Sequence, residues 1–304
     1  MAKHVLVIYY SQSGQLKKIT DSFTSSFLDN PCEVEWLEIK PKKNFPFPWS
    51  GKQFFDAMPE SVLGIPAEIY PPTCRREQYD LIIFAYQPWF LSPSIPATSA
   101  LHHPEIKRRL ANTPVITLIG SRNMWITAQE KIKSLLKAAG ARLVGNVALF
   151  DKNNNFVSAV TIQYWMFTGK QDKFLGIFPV PGISEADIAY ARTYGEAVLP
   201  ALQQNSWDGL QATLVSKGAV DVKTNLMFIE SRASVLFRIW ATTILKKQNR
   251  ALWLQFFKYY LLFALFIVAP FVLLVYNLFI RPFTTAQILK KKNYYTGVNY
   301  RGNE

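Results

Sequence analysis

Five apolar runs, with helical patterns between them, constrain the fold of this 304-residue chain more than any other feature. They cover residues 4–10, 32–39, 80–86, 114–119 and 142–149. The third and fourth runs are too continuously apolar for a sheet with one solvated face, and they are typical of parallel strands covered on both sides. Strands that alternate with helices predict a doubly wound α/β fold.

The predicted helices occupy residues 16–27, part of 95–111, 127–139 and 185–204. Thr127 is predicted to cap the third helix, with Glu130 completing a capping box, and Ser184 is predicted to cap the fourth. Ligands of doubly wound sheets bind outside the carboxyl ends of the strands. The loops after the first, third and fourth strands are therefore expected to meet at one site.

The polar turn after the first run is the first candidate binding element. It reads Tyr10-Ser11-Gln12-Ser13-Gly14-Gln15 and leads at once into a helix. A strand, a short polar turn and a helix in that order bring backbone N–H groups and a helix N-terminus to one spot, which favours an anion. The turn contains no Lys or Arg, so it predicts a phosphate monoester held by neutral donors. The alternative is an ordinary βα turn that happens to contain Ser and Gly.

Two further loops should reach the same edge of the sheet. They read Gln87-Pro88-Trp89-Phe90-Leu91-Ser92 and Gly120-Ser121-Arg122-Asn123-Met124-Trp125. Trp89 and Trp125 are predicted to stack on a flat heteroaromatic ring, and Arg122 to stabilise negative charge on it. Core packing is the alternative for each aromatic side chain.

Two long insertions exceed a minimal fold of this class, at residues 41–79 and 151–181. The first is rich in proline and aromatic residues, and the second contains the aromatic run at 160–167. Loops of this length in compact domains are commonly functional. They predict an apolar lid over a lipophilic substrate, with a packing insertion or a dimer contact as the alternative.

The turn at 10–15 is similar to the phosphate-binding loop of flavodoxin-like proteins, which hold the FMN phosphate in a Ser/Thr-rich turn after the first strand. The chain more narrowly resembles the bacterial dialkylresorcinol condensing enzyme proteins, through residues 5–19, 54–66, 120–125 and the apolar C-terminal segment. This resemblance implies a flavodoxin-like five-stranded parallel sheet in the order 2-1-3-4-5, with FMN as cofactor and a ketosynthase as partner. It also implies oxidative aromatisation of a 2,5-dialkylcyclohexane-1,3-dione to a dialkylresorcinol, in lipid or polyene-pigment biosynthesis.

The residues expected to contact FMN come from the three loops. They are Ser11, Gln12, Ser13, Gly14, Gln15, Leu16, Gln87, Pro88, Trp89, Phe90, Gly120, Ser121, Arg122, Asn123, Met124 and Trp125. A nicotinamide dinucleotide as the tightly held cofactor is disfavoured, because no G-x-G-x-x-G follows the first strand. Neither a G-x-S-x-G nucleophile nor an H-E-x-x-H metal motif is present, so no metal ligands are predicted.

Aromatisation of the implied diketone removes a hydride, which FMN accepts, and a proton, which needs a base. Asp56 and Glu60 are the predicted catalytic bases, with Glu68, His102 and His103 as further candidates. A carboxylate among the aromatic residues of the first insertion would have a raised pKa, because desolvation disfavours its charged form. Helix capping or simple surface exposure is the alternative for both carboxylates.

Two other functions fit the same residues. One is a membrane-bound flavin or quinone reductase that uses NAD(P)H. The other is a non-enzymatic electron carrier, or a scaffold that keeps the fold and docks a ketosynthase. Electron-carrier flavodoxins are typically acidic and lack a lipophilic insertion and tail, which disfavours the carrier.

The positive charge of the chain is concentrated in its last third. The formal net charge is +13, and residues 206–304 contribute +9, from 13 basic and 4 acidic residues. A nucleic-acid-binding protein would carry such charge along a folded face, so nucleic acid is not an expected partner. A basic tail next to an apolar segment favours contact with anionic lipid headgroups.

Residues 259–280 carry no formal charge, and a helix of that length spans about 33 Å, close to the hydrocarbon thickness of a bilayer. Membrane association is predicted, with a buried core helix as the alternative. Residues 226–245 read as an amphipathic helix lying in the interface. Both flanks are basic, so the positive-inside rule does not choose an orientation, and Pro270 predicts a kink. These features favour a monotopic anchor over a single span.

The predicted organisation is an FMN-binding domain at 1–205 and a helical, membrane-associating region at 206–304, with an apolar helix at 259–280 and a basic tail at 281–304. Cys32 and Cys74 form neither a disulfide framework nor a metal-ligand spacing. No signal peptide is apparent. The protein is therefore expected at the cytoplasmic face of the membrane, and a homodimer is left open.

Overall fold

A computed structural model of the protein describes residues 2–300. The strands of its main sheet are β1 (Lys3–Tyr9), β2 (Cys32–Glu38), β3 (Leu81–Tyr86), β4 (Pro114–Ser121) and β5 (Arg142–Phe150). The helices up to the second insertion are α1 (Gln15–Leu28), α2 (Gly51–Asp56), α3 (Met58–Leu63), α4 (Ile95–His102), α5 (Pro104–Leu110), α6 (Ile126–Ala138) and α7 (Asn155–Thr168). The remaining helices are α8 (Glu185–Gln204), α9 (Leu210–Ser216), α10 (Thr224–Lys246), α11 (Arg250–Phe283) and α12 (Thr285–Thr296).

The five strands pair in parallel in the order β2-β1-β3-β4-β5. This is the flavodoxin-like doubly wound order, and its switch point lies between β1 and β3. Every residue of β3 is buried, because helices cover both faces of the sheet, and this burial accounts for its continuous apolar sequence. The predicted fold class and strand order are confirmed.

Helices α1 and α8 cross at a close contact that depends on Gly195. A Cβ atom at Gly195 would lie 1.9 Å from the carbonyl oxygen of Phe23 and 2.6 Å from Ser26 Oγ. Only a residue without a side chain lets the two backbones approach this closely. The contact places α8 against the second half of α1.

The predicted cap of α8 is confirmed and that of α6 is wrong. Ser184 Oγ accepts a hydrogen bond from the N–H of Asp187. Helix α6, in contrast, begins at Ile126 without a side-chain cap from its own N-cap residue. Glu230 of α10 accepts the N–H of Thr127 at 2.6 Å, so a carboxylate from a distant helix replaces the predicted Thr127–Glu130 capping box.

Residues 206–223 pack into the α/β core. Leu214 of α9 lies against Gly145 of β5, and the N–H of Ala148 donates to the carbonyl oxygen of Ala219 at 2.8 Å. Val220 and Val222 are also buried. The segment after the predicted division at residue 205 therefore packs on the α/β core, and Met227 of α10 and Tyr276 of α11 belong to the same core. The division stays a prediction.

Helices α10 and α11 form an antiparallel pair. Phe228 near the start of α10 stacks on Tyr276 of α11 at 3.6 Å, and Trp240 near the end of α10 contacts Phe257. Together with α3 the pair encloses a second apolar core. Its buried members are Met58, Val62, Phe237, Ala241, Ile244, Leu254 and Phe257.

Helix α11 is 34 residues long and, by length and composition, apolar enough to cross a membrane. The helix continues through Pro270, which follows a π-helical segment at Ala264–Val268. A wider turn of this kind accommodates the missing N–H of a proline. The last four residues of the predicted basic tail 281–304 lie outside the described residues.

Candidate functional site

The turn between β1 and α1 leaves several backbone donors free. Gly14 precedes α1 with φ of 84°, a left-handed conformation that favours glycine. Within residues 2–300, no acceptor takes the N–H groups of residues 13–16. Ser11 Oγ accepts the N–H of Lys17 at 3.2 Å, so its hydroxyl hydrogen remains available to donate outward. The turn thus presents neutral donors at the switch point of the sheet.

The side chain of Gln12 binds the first insertion, and that of Gln15 binds the segment that follows the second insertion. Gln12 Nε2 donates to the carbonyl oxygen of Pro46 at 3.0 Å. Gln15 makes two bonds to the backbone of Ile183, one as donor and one as acceptor, both at 3.1 Å. The sequence analysis treated both glutamines as ligand contacts, and the structure assigns their side chains to the protein.

Leu16 is part of the core and not of a ligand surface. Its side chain is buried, and a Cβ atom at Gly120 would lie 3.2 Å from Leu16 Cδ1. Leu16 therefore offers a ligand only its backbone N–H. A Cβ atom at Gly120 would fit tightly here, because the strand end passes close to the side chains of Leu16 and Ile19 in α1.

The two insertions contact each other across the turn. The N–H of Trp49 donates to the carbonyl oxygen of Met166 at 2.8 Å. Phe47 packs edge-on against Trp165 at 5.8 Å, and Phe54 against Phe167 at 5.7 Å. The sequence-predicted apolar segments thus lie together above the carboxyl edge of β1.

Trp89, in the loop after β3, lies within an aromatic cluster. It contacts Tyr10, Phe45 and Trp49 edge-on, at ring distances of 5.2 to 6.2 Å. Its side chain is half-buried, so part of the indole remains accessible. The loop joins the turn after β1 to the first insertion.

The same loop turns sharply at Phe90 and Leu91. Both residues have positive φ, 47° and 59°, between the two-residue strands Pro88–Trp89 and Ser92–Pro93. Hairpin turns with two positive φ values normally use Asn and Gly. Bulky residues in this conformation store of order 1–3 kcal/mol each, a feature that concentrates at functional sites. The turn directs Phe90 toward Phe54, at 4.6 Å.

The loop after β4 contains a cation and two unpaired polar atoms. Arg122 donates from Nη1 to the backbone oxygen of Asn155 at 3.0 Å. Burial lowers the pKa of Arg122 to about 10, and the charge of Asp151 opposes this shift. Ser121 Oγ and Asn123 Oδ1 are buried and make no hydrogen bond within residues 2–300. Buried polar atoms without partners are rare, so these two atoms make the loop a candidate for ligand contact.

Trp125 does not stack on a ligand in this arrangement. Its side chain is 2% exposed and packs in the core, so the prediction of a stacking role is wrong. The alternative weighed in the sequence analysis, core packing, describes this residue. Met124 and Gln87 remain half-buried beside their loops, and their ligand contacts stay predictions.

Asp56 and Glu60 lie together, and both bind Arg250, the first residue of α11. Arg250 forms a bidentate ion pair with Glu60, with both N–O distances at 2.7 Å. Its Nε donates to Asp56 Oδ1 at 3.0 Å. A carboxylate buried among aromatic side chains was expected here. Both carboxylates are instead partly exposed and paired with the guanidinium of Arg250. The catalytic role of the two residues stays a prediction.

The other candidate bases have structural partners. Glu68 pairs with Lys42 at 3.1 Å on the surface. His102 Nδ1 contacts the carbonyl oxygen of Thr98, and His103 Nδ1 accepts the N–H of Glu105 at the start of α5. These contacts fit local roles within and between helices.

The sequence analysis missed Asn155 and Asp151. Asn155 Oδ1 accepts hydrogen bonds from both Arg122 and Asn123, and buried Asp151 accepts the hydroxyl of Ser158 at 2.8 Å. Both residues lie at the start of the second insertion, directly after β5. The position after a strand's carboxyl end was the available signal, and it was applied only to the loops after β1, β3 and β4.

Two cavities, of about 400 and 390 Å³, lie away from these loops. The first lies beside β2, and the second between α6 and α10. None of the predicted cofactor contacts lines either one. Neither cavity is therefore assigned to the candidate site.

No protein-family model matches the chain, and neither does any curated protein sequence. Among solved structures, it is similar to a flavoprotein in complex with FMN from Lactobacillus acidophilus, with 22% identity over 48% of this chain and 93% of that one, at a TM-score of 0.40. A protein described as a flavoprotein from Bacteroides eggerthii shows 14% identity, 54% and 96% coverage, and a TM-score of 0.36. The Trp repressor binding protein from Bacillus subtilis shows 13% identity, 54% and 98% coverage, and a TM-score of 0.28. Similarities this low do not establish a ligand or an activity for this protein. The fold class is established by the strand order of the sheet.

Proposed function

We propose that this protein is an FMN-dependent oxidoreductase that aromatises a lipophilic cyclic diketone. The observation that carries the proposal is the convergence of free donors and unpaired polar atoms at the switch point of a flavodoxin-like sheet. The turn after β1 and the loop after β4 both follow the carboxyl ends of central strands, where ligands of this fold class bind.

The turn after β1 fits a phosphate monoester. Free backbone N–H groups at residues 13–16 and the hydroxyls of Ser11 and Ser13 supply donors at a helix N-terminus. A helix N-terminus also favours negative charge through its dipole. These residues would hold the FMN phosphate.

The loop after β4 fits the polar edge of the flavin ring. Ser121 Oγ and Asn123 Oδ1 need hydrogen-bond partners, and the ring offers both donors and acceptors. Arg122 stays cationic at neutral pH, because its lowered pKa of about 10 still exceeds 7. A cation here would stabilise negative charge on the reduced ring.

The substrate class follows from the apolar surroundings and from the resemblance. The aromatic residues of both insertions form a lipophilic wall beside the candidate site. A 2,5-dialkylcyclohexane-1,3-dione becomes a dialkylresorcinol by losing two hydrogens, one as hydride and one as a proton. Bound FMN supplies the hydride acceptor. Asp56 and Glu60 are the proposed proton acceptors, oriented by Arg250.

The proposed partner is a ketosynthase that condenses two acyl chains and so supplies the diketone. A ring with two alkyl substituents requires a carbon–carbon bond-forming step before aromatisation. A ketosynthase encoded beside this protein, and its capture by the purified full-length chain, would support the pairing.

The first experiment measures flavin binding. Purified protein is expected to absorb in the flavin bands, or to quench the fluorescence of added FMN. The Ser11→Ala/Ser13→Ala variant is expected to lose at least tenfold in FMN affinity, because two donors are removed. Ser25→Ala, which removes a partly buried hydroxyl on α1 that bonds the carbonyl oxygen of Ser22 and lies away from the turn, is the matched control. A wild-type protein that binds no FMN would overturn the proposal.

The second experiment separates the functions. Under anaerobic conditions, a dialkylcyclohexanedione is expected to bleach the bound flavin and to yield a resorcinol. Bleaching by NADPH but not by the dione would indicate a flavin or quinone reductase. Flavin binding without bleaching by either compound would indicate a carrier or a docking scaffold.

A further inference from the structure

The apolar helix α11 is attached to the α/β domain at both ends. Arg250 at its start binds Asp56 and Glu60. Beyond its end, the Tyr300 hydroxyl donates to the carbonyl oxygen of Ala141 at 2.9 Å and accepts the N–H of Leu143 at 3.2 Å. Both flanks of the helix therefore lie on the same body.

A second contact reinforces the attachment after the helix. Gln211 of α9 donates from Nε2 to the carbonyl oxygen of Thr296 at 2.7 Å. A transmembrane arrangement would place the two flanks on opposite sides of about 30 Å of hydrocarbon. That arrangement would break the contacts of Arg250, or those of Thr296 and Tyr300.

Most of the strongly exposed apolar side chains of α11 form one stripe along its length. They recur every three or four residues, the spacing of one helix face. The stripe consists of Leu252, Phe256, Tyr259, Phe263, Ile267, Phe271, Leu274 and Leu278. Phe271 is 65% exposed and Phe263 is 59% exposed. The stripe extends over about 40 Å. Leu254, Phe257 and Tyr276 are buried beside α10, whereas Val268 and Phe279 are exposed outside the stripe.

Helix α10 adds to the same apolar surface. Val235 and Ile239 are 58% and 57% exposed, although the opposite face of α10 packs on α3 and α6. An apolar surface of this extent on a monomer indicates an interaction site. A stripe parallel to the helix axis fits a helix lying in an interface. The contacts of both flanks with the same body favour this placement over a span.

The charge of residues 224–300 indicates that the partner of this apolar surface is anionic. Residues 224–300 contain ten Lys and Arg and a single carboxylate, Glu230, which is buried. The exposed part of this region therefore carries cations only, such as Arg232, Arg238 and Lys258. Lys and Arg side chains close to an anionic leaflet are attracted to its negative surface potential.

We propose that the α10–α11 pair lies in the plane of a bilayer that contains anionic lipids, with the stripe buried at the acyl–headgroup boundary and both ends of α11 on the same side. Basic residues around the stripe contact the lipid phosphates. This placement does not depend on the bound cofactor or on the reaction.

One consequence rests on the proposed function. Phe257 of α11 contacts Phe55 of the first insertion at 6.3 Å and Phe90 of the loop after β3 at 6.4 Å. The helix pair thus touches the aromatic wall of the candidate site. A dialkylated substrate dissolved in the bilayer would reach that wall along this contact.

The first test is sedimentation of the full-length protein with preformed vesicles. Binding is expected to vesicles of phosphatidylcholine with phosphatidylglycerol, weaker to phosphatidylcholine alone, and reduced at high salt. Phe263→Glu/Phe271→Glu is expected to reduce binding at least tenfold. Leu28→Glu is the matched control, since Leu28 is 64% exposed on α1. FMN binding by all variants is expected to be unchanged, which separates this test from that of the proposed function.

The second test determines on which side each end lies. Gln248→Cys and Gln287→Cys, at exposed positions before and after α11, are made separately in a Cys32→Ser/Cys74→Ser background. Both are expected to react with a membrane-impermeant maleimide added outside the vesicles. Protection of either end would show a span and overturn the proposal. Absence of vesicle binding, with a concentration-dependent dimer in sedimentation, would show that a second copy covers the stripe.

Discussion

Arg250 binds Glu60 through a bidentate ion pair, although the two residues are 190 positions apart in the chain. The same guanidinium also contacts the backbone and the side chain of Asp56. The pair connects the first insertion, which borders the candidate site, with the first residue of the apolar helix. One contact therefore joins the proposed catalytic and membrane-facing parts of the molecule.

Replacing Arg250 by Gln should detach the start of α11. The free energy of unfolding is expected to fall by about 1–2 kcal/mol, because charge-assisted hydrogen bonds are lost at a partly exposed site. Urea unfolding measures this change, and limited proteolysis near residue 250 should become faster. Arg192→Gln, which breaks an exposed pair with Asp29 and Glu196, is expected to change stability by less than about 0.5 kcal/mol. Equal effects of the two substitutions would contradict the role of Arg250.

Replacing the proposed bases should slow the reaction without releasing FMN. One of the two carboxylates is expected to accept the proton. Its substitution, Asp56→Asn or Glu60→Gln, is expected to lower kcat by about 10²–10⁴-fold. FMN affinity should remain unchanged, because neither carboxylate belongs to the three cofactor loops. Glu68→Gln is the control, as this carboxylate is exposed and paired with Lys42. Wild-type rates in both variants would exclude the two carboxylates as bases.

The sheet could be predicted because its signals are local. The apolar runs of β3 and β4 reflect burial on both faces, and the strand, polar turn and helix around residues 10–15 follow one another in the sequence. The partners of Gln15 and Arg250 could not be predicted in this way. Each contacts a residue more than 160 positions away, and no periodic pattern encodes such a contact.

The errors at α6 and Trp125 have the same physical origin. Thr127 and Glu130 have the spacing of a capping box, but Glu230 lies closer to the N–H groups of that helix end. Trp125 follows the loop predicted to contact the ligand, yet its side chain is buried in the core. The local sequence shows which residues could cap a helix or contact a ligand. Tertiary packing determines which of them do so.

Gly195→Ala should severely destabilise the fold. Its Cβ atom would overlap the backbone of α1, 1.9 Å from the carbonyl oxygen of Phe23, and backbone cannot move aside as a flexible side chain can. The expected loss is about 3 kcal/mol or more. Gly51→Ala is the matched control, because no atom lies within 4 Å of the added methyl group. Denaturant midpoints that agree for the two variants would disprove the close helix contact.

Glu230 should make stability depend on pH in an unusual direction. Burial raises its pKa to about 7 from 4.5, although the N–H of Thr127 partly opposes the shift. Between pH 4.5 and pH 7, Glu230 is therefore protonated in the folded protein but ionised in the unfolded chain. The contribution of Glu230 is fully present below about pH 4.5 and is lost as pH rises through 7. This loss amounts to about 3 kcal/mol.

Glu230→Gln tests this dependence because glutamine keeps an acceptor for the Thr127 N–H but does not ionise. The stability of the variant relative to wild type is expected to increase as pH rises from 4.5 to 7, and to be constant above. Tyr86 stays neutral throughout, since burial raises its pKa well above 10. Urea unfolding at intervals across this range measures both proteins. A stability difference that does not change with pH would show that Glu230 is ionised in the folded protein, with its charge held by the N-terminus of α6.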